Sequence, residues 1–288
     1  MPVDSRGSSS IEPVLREERE LVMSLGGYAL ELAGGVLVVN ERVPVPRFNF
    51  VQYVRIHRNR QSPFLERTLD HYFQRALRPS IRVELPVDSF LDTSLRGLGF
   101  RPIAEPLSLL LFRGAAHTVP AQSAYEVRAA TVDEIPLMAR FWTGEMESEE
   151  LVRALTVALE HPNPDEQLVP VISLRRGKAV SAALVHRHRD CVGIHGVVTQ
   201  PSERGQGAAT ALVAGALHLP PVHSATDLVA MWSGSSRLDR RLASLGFEVA
   251  CQYAVYELPP EAVLALPAAG PPGPPRWRPA RSRGPSPP

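Results

Sequence analysis

The chain has 288 residues, a length that accommodates about two domains at roughly 100–200 residues per domain. Hydrophobic residues make up 44% and charged residues 21%, and 31 basic against 30 acidic residues leave a formal net charge of +1. This near-neutral balance excludes a general electrostatic attraction to nucleic acid or to an anionic membrane as the main activity. We therefore expect neither a nucleic-acid partner nor a membrane partner.

Other sequence signals favour a cytoplasmic protein. The longest apolar runs, such as Leu228–Trp232, are far shorter than the roughly 18 residues of a membrane-spanning helix. The first ten residues contain no apolar core of a secretory signal. The only cysteines, Cys191 and Cys251, are too few for a disulfide framework or for a zinc site of their own. We expect a reducing, cytoplasmic location.

Helix and strand signals in the first half begin near residue 62. Ser62 and Pro63 have the pattern of a helix N-cap followed by the first helical residue. Ile81–Leu85 has the pattern of a strand, Asp88 that of a second N-cap, and residues 105–112 that of a further strand. The helix after Ser62 is predicted to bury an apolar stripe of Leu65, Leu69, Tyr72, Phe73 and Ala76.

The second half begins with its own helix and hairpin. Thr131–Glu134 has the pattern of a capping box, which predicts a helix start. Val169–Leu174 and Ala179–His186 flank a polar turn, as the two strands of a hairpin do. Cys191–Thr199 is predicted to be the next strand.

A longer helix and two more strands complete the second half. Pro220 ends the predicted helix, and Leu228–Trp232 is a short buried strand. A short helix after Ser235 ends at Gly246, a residue type that favours helix C-caps, and a last strand runs over residues 247–258. The longer helix has apolar residues at helical spacing: Ala209, Leu212, Val213, Ala216 and Leu217.

The order helix, strand, helix, Leu-Gly-Phe, strand occurs in both halves. The glycines of the two Leu-Gly-Phe sequences are Gly99 and Gly246. We interpret this order as an internal duplication, and the last thirty residues, which are rich in proline, as disordered. The predicted division is residues 1–19 (flexible N-terminus), 20–114 (first domain), 115–123 (linker), 124–258 (second domain) and 259–288 (disordered tail).

The most informative segment lies between the strand at 191–199 and the longer helix. Gly205 and Gly207 let the backbone approach an anion closely, and small residues follow at the start of the helix. A helix N-terminus directs unpaired N–H groups and a positive dipole at such an anion. Arg204 adds a fixed positive charge. The segment therefore predicts a phosphate or pyrophosphate site, although it lacks the patterns of a Walker loop and of a dinucleotide-binding turn.

The spacing Arg204-x-x-Gly207-x-Ala209 resembles the Arg/Gln-x-x-Gly-x-Gly/Ala signature of the GCN5-related N-acetyltransferases. Leu245-Gly-Phe247 is similar to the closing segment of that family. The resemblance covers residues 125–258, whereas the first half looks like a degenerate copy without the signature. It implies an α/β (α+β) protein of two such domains, each a twisted mixed β-sheet flanked by helices.

The resemblance also implies acetyl-CoA as co-substrate and no metal. In the family, the loop binds the pyrophosphate, and the backbone of the preceding strand binds the pantetheine arm. The corresponding residues of this chain are Gly196, Val197, Val198, Arg204, Gly205, Gln206, Gly207, Ala208, Ala209 and Thr210.

Family members transfer the acetyl group by direct attack of an amine in a ternary complex. His195 lies on the strand beside the expected thioester and is a candidate base, although a structural histidine is an alternative. Many members carry a tyrosine as the acid, but Leu242 occupies that position here. Ser235, Ser236, water or no acid at all remain open for that step.

The sequence therefore predicts an N-acetyltransferase that acts on a primary amine of a small molecule or peptide. The alternative is a non-catalytic acyl-CoA-binding or scaffold protein. Acidic residues at 144–150 would favour a cationic acceptor, with a solvated loop as the alternative. His186 and His188 are expected to be exposed and not to bind metal. The apolar last strand, Val249–Tyr256, suggests a possible homodimer.

Overall fold

A computed structural model describes residues 8–54, 61–112, 124–143, 149–161, 166–223 and 228–259. Within these ranges no helix is long and apolar enough to cross a membrane. The predicted linker and almost all of the proline-rich tail lie outside the described residues. The helices are α1 (Ser8–Ser24), α2 (Gln61–Phe73), α3 (Ser89–Gly97), α4 (Ile135–Thr143), α5 (Glu149–Glu160), α6 (Ala208–Ala216), α7 (Pro220–His223) and α8 (Ser236–Ala243).

The strands are β1 (Tyr28–Leu32), β2 (Gly35–Val39), β3 (Phe50–Gln52), β4 (Ser80–Glu84), β5 (Arg101–Pro102), β6 (Leu107–Phe112), β7 (Glu126–Ala129), β8 (Glu166–Arg175), β9 (Lys178–His188), β10 (Cys191–Thr199), β11 (Leu228–Ser233) and β12 (Phe247–Glu257). They form a single mixed sheet in the order β1-β2-β3-β4-β12-β6-β11-β10-β9-β8-β7, and β5 pairs with β12. Two neighbouring pairs, β3 with β4 and β10 with β11, are parallel, and the other described pairs are antiparallel.

The two halves exchange their last strands at the centre of this sheet. β12, from the second half, pairs with β4 of the first half, and β6, from the first half, pairs with β11 of the second half. β6 and β12 also pair with each other. The α/β class is confirmed, but the halves share one continuous sheet. β6 pairs with β12 from Phe247 to Tyr253, and β4 pairs with it from Tyr253 to Glu257, so the homodimer expected through this strand stays a prediction.

Helices cover both faces of the sheet. Side chains of α1, α4 and α5 pack on one face, and those of α2, α3, α6 and α8 pack on the other. The repeated order of elements is present in both halves, and both predicted C-cap glycines have a left-handed backbone, with φ of +88° at Gly99 and +96° at Gly246. These φ values favour glycine because a β-carbon would be strained there.

The structure corrects the predicted N-terminal boundary. Residues 8–19, assigned above to a flexible terminus, form most of α1. Val14 and Leu15 are almost fully buried in a cluster with residues of β6, β10 and β11. α1 therefore belongs to the first half but covers strands of the second half, which brings its acidic residues into the region described next.

Candidate functional site

The predicted anion-binding loop ends at an uncapped helix N-terminus. Gly207 is the N-cap of α6, with φ of +92°, and no side chain caps the helix there. The first-turn N–H groups, from Ala208 to Thr210, have no carbonyl partner within the helix. Gly205 also has a left-handed backbone, with φ of +79°. The sequence prediction of a glycine-dependent turn into a helix is confirmed, and the helix presents free donors.

Neighbouring side chains hold this loop in place. The Tyr125 hydroxyl donates to the Gln206 carbonyl at 2.9 Å, and Gln206 Nε2 donates to the Ser202 carbonyl at 3.1 Å. Arg175 donates to Glu203 at 2.8 Å and also to the side-chain oxygen of Gln206. The Gln206 side chain therefore braces the loop, and its amide is occupied by protein groups.

A second arginine beside the loop was not found by sequence reasoning. A β-carbon built on Gly205 would lie 3.6 Å from Nη2 of Arg237, in the first turn of α8. Arg204 is exposed at the loop itself, and its Nε donates to the Thr199 carbonyl at 3.2 Å. The guanidinium groups of Arg204 and Arg237 therefore lie at the loop that leads into α6. No sequence spacing signals Arg237, because its position depends on the packing of α8 beside α6.

The strand before the loop separates from its parallel neighbour. β10 and β11 are in register from Cys191 with Leu228 to Ile194 with Met231. The pairing of β10 with β9 is irregular between His195 and Val198, and Gly196 has φ of +68°. The Gly196 carbonyl accepts a hydrogen bond from Trp142 Nε1. The backbone at 196–198, predicted to bind the pantetheine arm, thus lies at a β-bulge whose groups are partly released from the sheet.

A buried carboxylate connects two histidines on the face of the sheet covered by α1. Glu17, on α1, is fully buried, and its Oε1 lies 2.9 Å from Nε2 of His195 and 2.8 Å from Nδ1 of His186. His186 was expected to be exposed, and this prediction is wrong, because α1 covers it. Sequence reasoning also missed Glu17, because it lies in the presumed flexible terminus.

The electrostatics of this cluster keep Glu17 ionised. Burial by itself disfavours the carboxylate, but its attraction to a protonated His195 ring and the hydrogen bonds from both histidines outweigh it and lower the pKa of Glu17 from 4.5 to about 2. A carboxylate at Nε2 of His195 holds the proton on that nitrogen in the neutral ring. Nδ1 of His195 is then the nitrogen that can accept a proton.

We expect Glu17→Gln to lower the free energy of unfolding by about 3 kcal/mol at pH 7, since a buried charged network loses its central acceptor. The lowered pKa of Glu17 means that its contribution is present above pH 4.5 and is lost as the pH falls towards 2. The difference in the free energy of unfolding between the parent and Glu17→Gln, measured with urea, should therefore become smaller from pH 5 to pH 3.

The matched control is Glu20→Gln, three residues further along α1. Glu20 is only half-buried, and this change should leave the free energy of unfolding within about 0.5 kcal/mol of the parent at every pH. A Glu17→Gln effect no larger than that of Glu20→Gln would show that the Glu17 carboxylate is not the centre of the network.

A narrow cleft lies where α1, the two halves and the bulge meet. Its lining includes Arg47, Trp142, Leu184, His195 and Gly196, and its volume is about 20 Å³, enough for about one water molecule. Arg47 follows β2 in a 3-10 turn of the first half (Pro46–Phe48). The cleft therefore combines a histidine and the bulge from the second half with an arginine from the first.

The other residues considered for catalysis are Ser235, Leu242 and the two cysteines. Ser235 is the N-cap residue of α8, and its N–H donates to Ser233 Oγ at 3.2 Å. Leu242 is fully buried in the core beneath α6 and α8, so no acid occupies the position of the family tyrosine. Cys191 is buried, and burial raises the pKa of the Cys251 thiol to about 11. Neither thiol is suited to act as a nucleophile.

The predicted acidic acceptor region is only partly described. Residues 144–148 lie outside the described residues. Glu149 and Glu150 are exposed in the first turn of α5, where they complement the helix dipole. Within the described residues, no group of three or more His, Cys, Asp or Glu side chains could hold a metal ion.

Comparison with known proteins identifies the fold. No protein-family model and no curated protein matches the sequence. Among solved structures, a GCN5-related N-acetyltransferase from Kribbella flavida matches with a TM-score of 0.58 and 18% identity, covering 85% of this chain and 95% of that one. A GCN5-related N-acetyltransferase from Sphaerobacter thermophilus matches with a TM-score of 0.53 and 16% identity, covering 79% and 81%.

The chain thus has the fold of the GCN5-related N-acetyltransferases. The likeness extends across both halves, because more than three quarters of this chain aligns with each of those two structures. A protein of unknown function from Staphylococcus epidermidis has the same fold, with a TM-score of 0.59 and 12% identity, covering 81% of this chain and 94% of that one.

Proposed function

We propose that the protein is an N-acetyltransferase that moves the acetyl group of acetyl-CoA to a primary amine of a small molecule or peptide. One observation carries the proposal: an uncapped, glycine-preceded helix N-terminus lies directly after a bulged strand that bears a carboxylate-held histidine. The first feature fits a pyrophosphate, and the second fits proton transfer. The fold supports the same activity but does not identify the acceptor.

The described residues fit acetyl-CoA. The N–H groups of Gly207–Thr210 would hold the pyrophosphate, and Arg204 and Arg237 would neutralise its charge. The backbone of Gly196–Val198, partly released from the sheet, would hydrogen-bond the pantetheine arm. Val197 packs against the core on the α6 side of the sheet, whereas His195 faces α1. The bulge thus lies between the face of the sheet that carries α6 and the face that carries His195.

Acetyl-CoA supplies the acyl group as a thioester. His195 accepts the proton that the amine nitrogen loses as that nitrogen bonds to the carbonyl carbon, and the carbon–sulfur bond breaks. Backbone N–H groups at the bulge stabilise the charge that develops on the carbonyl oxygen. Glu17 holds His195 in orientation and stabilises the imidazolium, much as a buried carboxylate orients the histidine of a catalytic triad.

The proton for the leaving thiolate must come from a group other than residue 242. Leu242 is an apolar core residue, whereas Ser235 is the N-cap residue of α8 and its side chain does not cap the helix. The imidazolium of His195 holds a proton after the first step and can return it to the sulfur, directly or through water. One histidine then serves as base and acid in turn, as in a triad.

Calorimetric titration with acetyl-CoA tests the cofactor site. We expect micromolar binding to the parent, which corresponds to about 8 kcal/mol, and no measurable heat with Gly207→Glu, because a carboxylate would occupy the anion position. Arg237→Ala keeps the loop intact and should weaken binding about tenfold by removing one charge-assisted contact. Arg240→Ala, an exposed residue further along α8, is the matched control and should bind as the parent does.

The absence of binding to the parent would contradict the proposal. Binding that is unaffected by both Gly207→Glu and Arg237→Ala would place acetyl-CoA elsewhere. The buried Leu242 favours a second candidate, an acyl-CoA-binding protein without turnover. Release of free thiol from acetyl-CoA in the presence of amines distinguishes the two, since only the transferase releases CoA faster when an acceptor is added.

A further inference from the structure

Arg47 lines the cleft beside His195, and Arg82 lies near it in a different electrostatic situation. Arg82, on β4, is buried, and its Nη1 lies 2.7 and 2.8 Å from the two carboxylate oxygens of Glu18. Its guanidinium also lies over the Phe50 ring, 3.8 Å from the centroid. Arg82 is therefore neutralised within the protein and is not available for a ligand.

Arg47 has no such partner. Among the described residues, no hydrogen bond or ion pair reaches its guanidinium, and solvent reaches the side chain. Loss of water around the guanidinium and the neighbouring charge of Arg82 lower the pKa of Arg47 to about 10, although the charge of Glu18 opposes this shift, so Arg47 remains a cation at neutral pH. Glu18 also lines the cleft, but its carboxylate is bound to Arg82, so Arg47 keeps positive charge that favours an anion.

The charge of Arg47 lies close to the bulge at which acetyl transfer is proposed to occur. A β-carbon built on Gly196 would lie 2.8 Å from Nε1 of Trp142 and 3.5 Å from Cζ of Arg47. The guanidinium therefore lies across the cleft from the bulge where the thioester carbonyl is proposed to bind, on the same face of the sheet as His195. An anion at Arg47 would be only a few bonds away from a group that reacts at the bulge.

From this arrangement we infer that the acceptor is an amino acid, whose carboxylate is bound by Arg47 while its amine lies between His195 and the bulge. The inference rests on the proposed function and specifies its acceptor. A guanidinium presents a fork of donors that matches a carboxylate. The apolar side chains of Leu21, Phe48 and Leu184 line part of the cleft beside this charge.

The test compares amino acids with their amides, which have nearly the same shape but no negative charge. Thiol release from acetyl-CoA is measured with the full-length protein for alanine, leucine and phenylalanine and for alaninamide, leucinamide and phenylalaninamide. We expect the acids to have kcat/KM values at least about tenfold higher than their amides. The amine of an amide is less basic than that of the acid and is therefore more often in the neutral, reactive form. A preference for the acid would thus run against the difference in amine basicity.

Three variants test whether Arg47 causes the preference for acids over amides. Arg47→Gln should lower kcat/KM for the acids about tenfold or more and leave the amides unchanged, mainly through KM. Arg47→Lys should restore part of the preference, since it keeps the charge but not the fork of donors. Arg42→Gln, at another exposed arginine of the same segment, is the matched control and should leave the preference unchanged.

Several outcomes would overturn the inference. The first is equal use of acids and amides by the parent, and the second is an equal loss for both in Arg47→Gln, which would assign Arg47 to the thioester. If no member of the panel is acetylated, calorimetry with CoA-saturated protein replaces turnover, and a lack of binding by all three acids rejects the amino acid. Acetyl-CoA binding to the parent is measured separately, so the proposed function can stand when this inference fails.

Discussion

Replacing Gly193 by alanine is expected to lower the free energy of unfolding by about 3 kcal/mol, near the upper end of the cost of forcing extra atoms into a packed core. Gly193 lies on β10, two residues before His195. A β-carbon there would overlap Nε2 of His195 and both carboxylate oxygens of Glu17. These atoms cannot move apart cheaply, because Glu17 is fully buried and is hydrogen-bonded to both histidines.

The measurement is urea unfolding of the parent, Gly193→Ala and a control at Gly97. Gly97 is the last residue of α3, and a β-carbon there has no neighbour within 4 Å, so Gly97→Ala should be neutral or stabilising by up to about 1 kcal/mol. The double variant Glu17→Ala/Gly193→Ala should lose less stability than the sum of the single variants, because the carboxylate no longer occupies the space. Additive losses would show that Gly193 is required for another reason.

Many elements of the fold were predictable, but their arrangement was not. Periodicity and capping residues located most of the helices and strands from residue 62 onward, because these signals are local, but they did not locate α1 or β1–β3. The exchange of β6 and β12 is a choice among sheet edges of similar composition, and no local pattern distinguishes a strand that pairs with its own half from one that pairs with the other. α1 was missed because the buried Glu17 and Glu18 interrupt its apolar stripe and Pro13 lies within it.

The candidate site was likewise predictable in its local features but not in its packing. The loop from Arg204 to Gly207 was visible in the sequence, because glycine positions and a helix start are local features. Arg237 and Glu17 were not visible, since each reaches the site through packing between elements that are distant in the chain. His195 was a candidate from its strand alone, but only the contact with Glu17 distinguishes it from an ordinary buried histidine and indicates which ring nitrogen can accept a proton.

The second prediction with a large effect concerns the exchanged strands, β6 and β12. We expect that residues 1–114 and 124–258, produced separately, do not unfold cooperatively, and that the two produced together form a 1:1 complex with cooperative unfolding. In the isolated first half, β6 loses both of its neighbours, β11 and β12, and the inner edge of β4 is open. In the isolated second half, β11 loses β6, and the α1 helix no longer covers His186 and His195.

Cleavage of the folded chain is the control for this experiment. A protease site inserted within residues 115–123 should be cut without separating the halves in size-exclusion chromatography, because the shared sheet and α1 hold them together without the linker. Unpaired strand edges favour aggregation, so the separate halves should also be poorly soluble. If each half were monomeric and unfolded cooperatively by itself, the exchanged arrangement would be wrong, and the boundary predicted from the sequence would divide two independent domains. If only the complex folds, the cleft that joins Arg47 to His195 exists only when both halves are present, and the first half is part of the site.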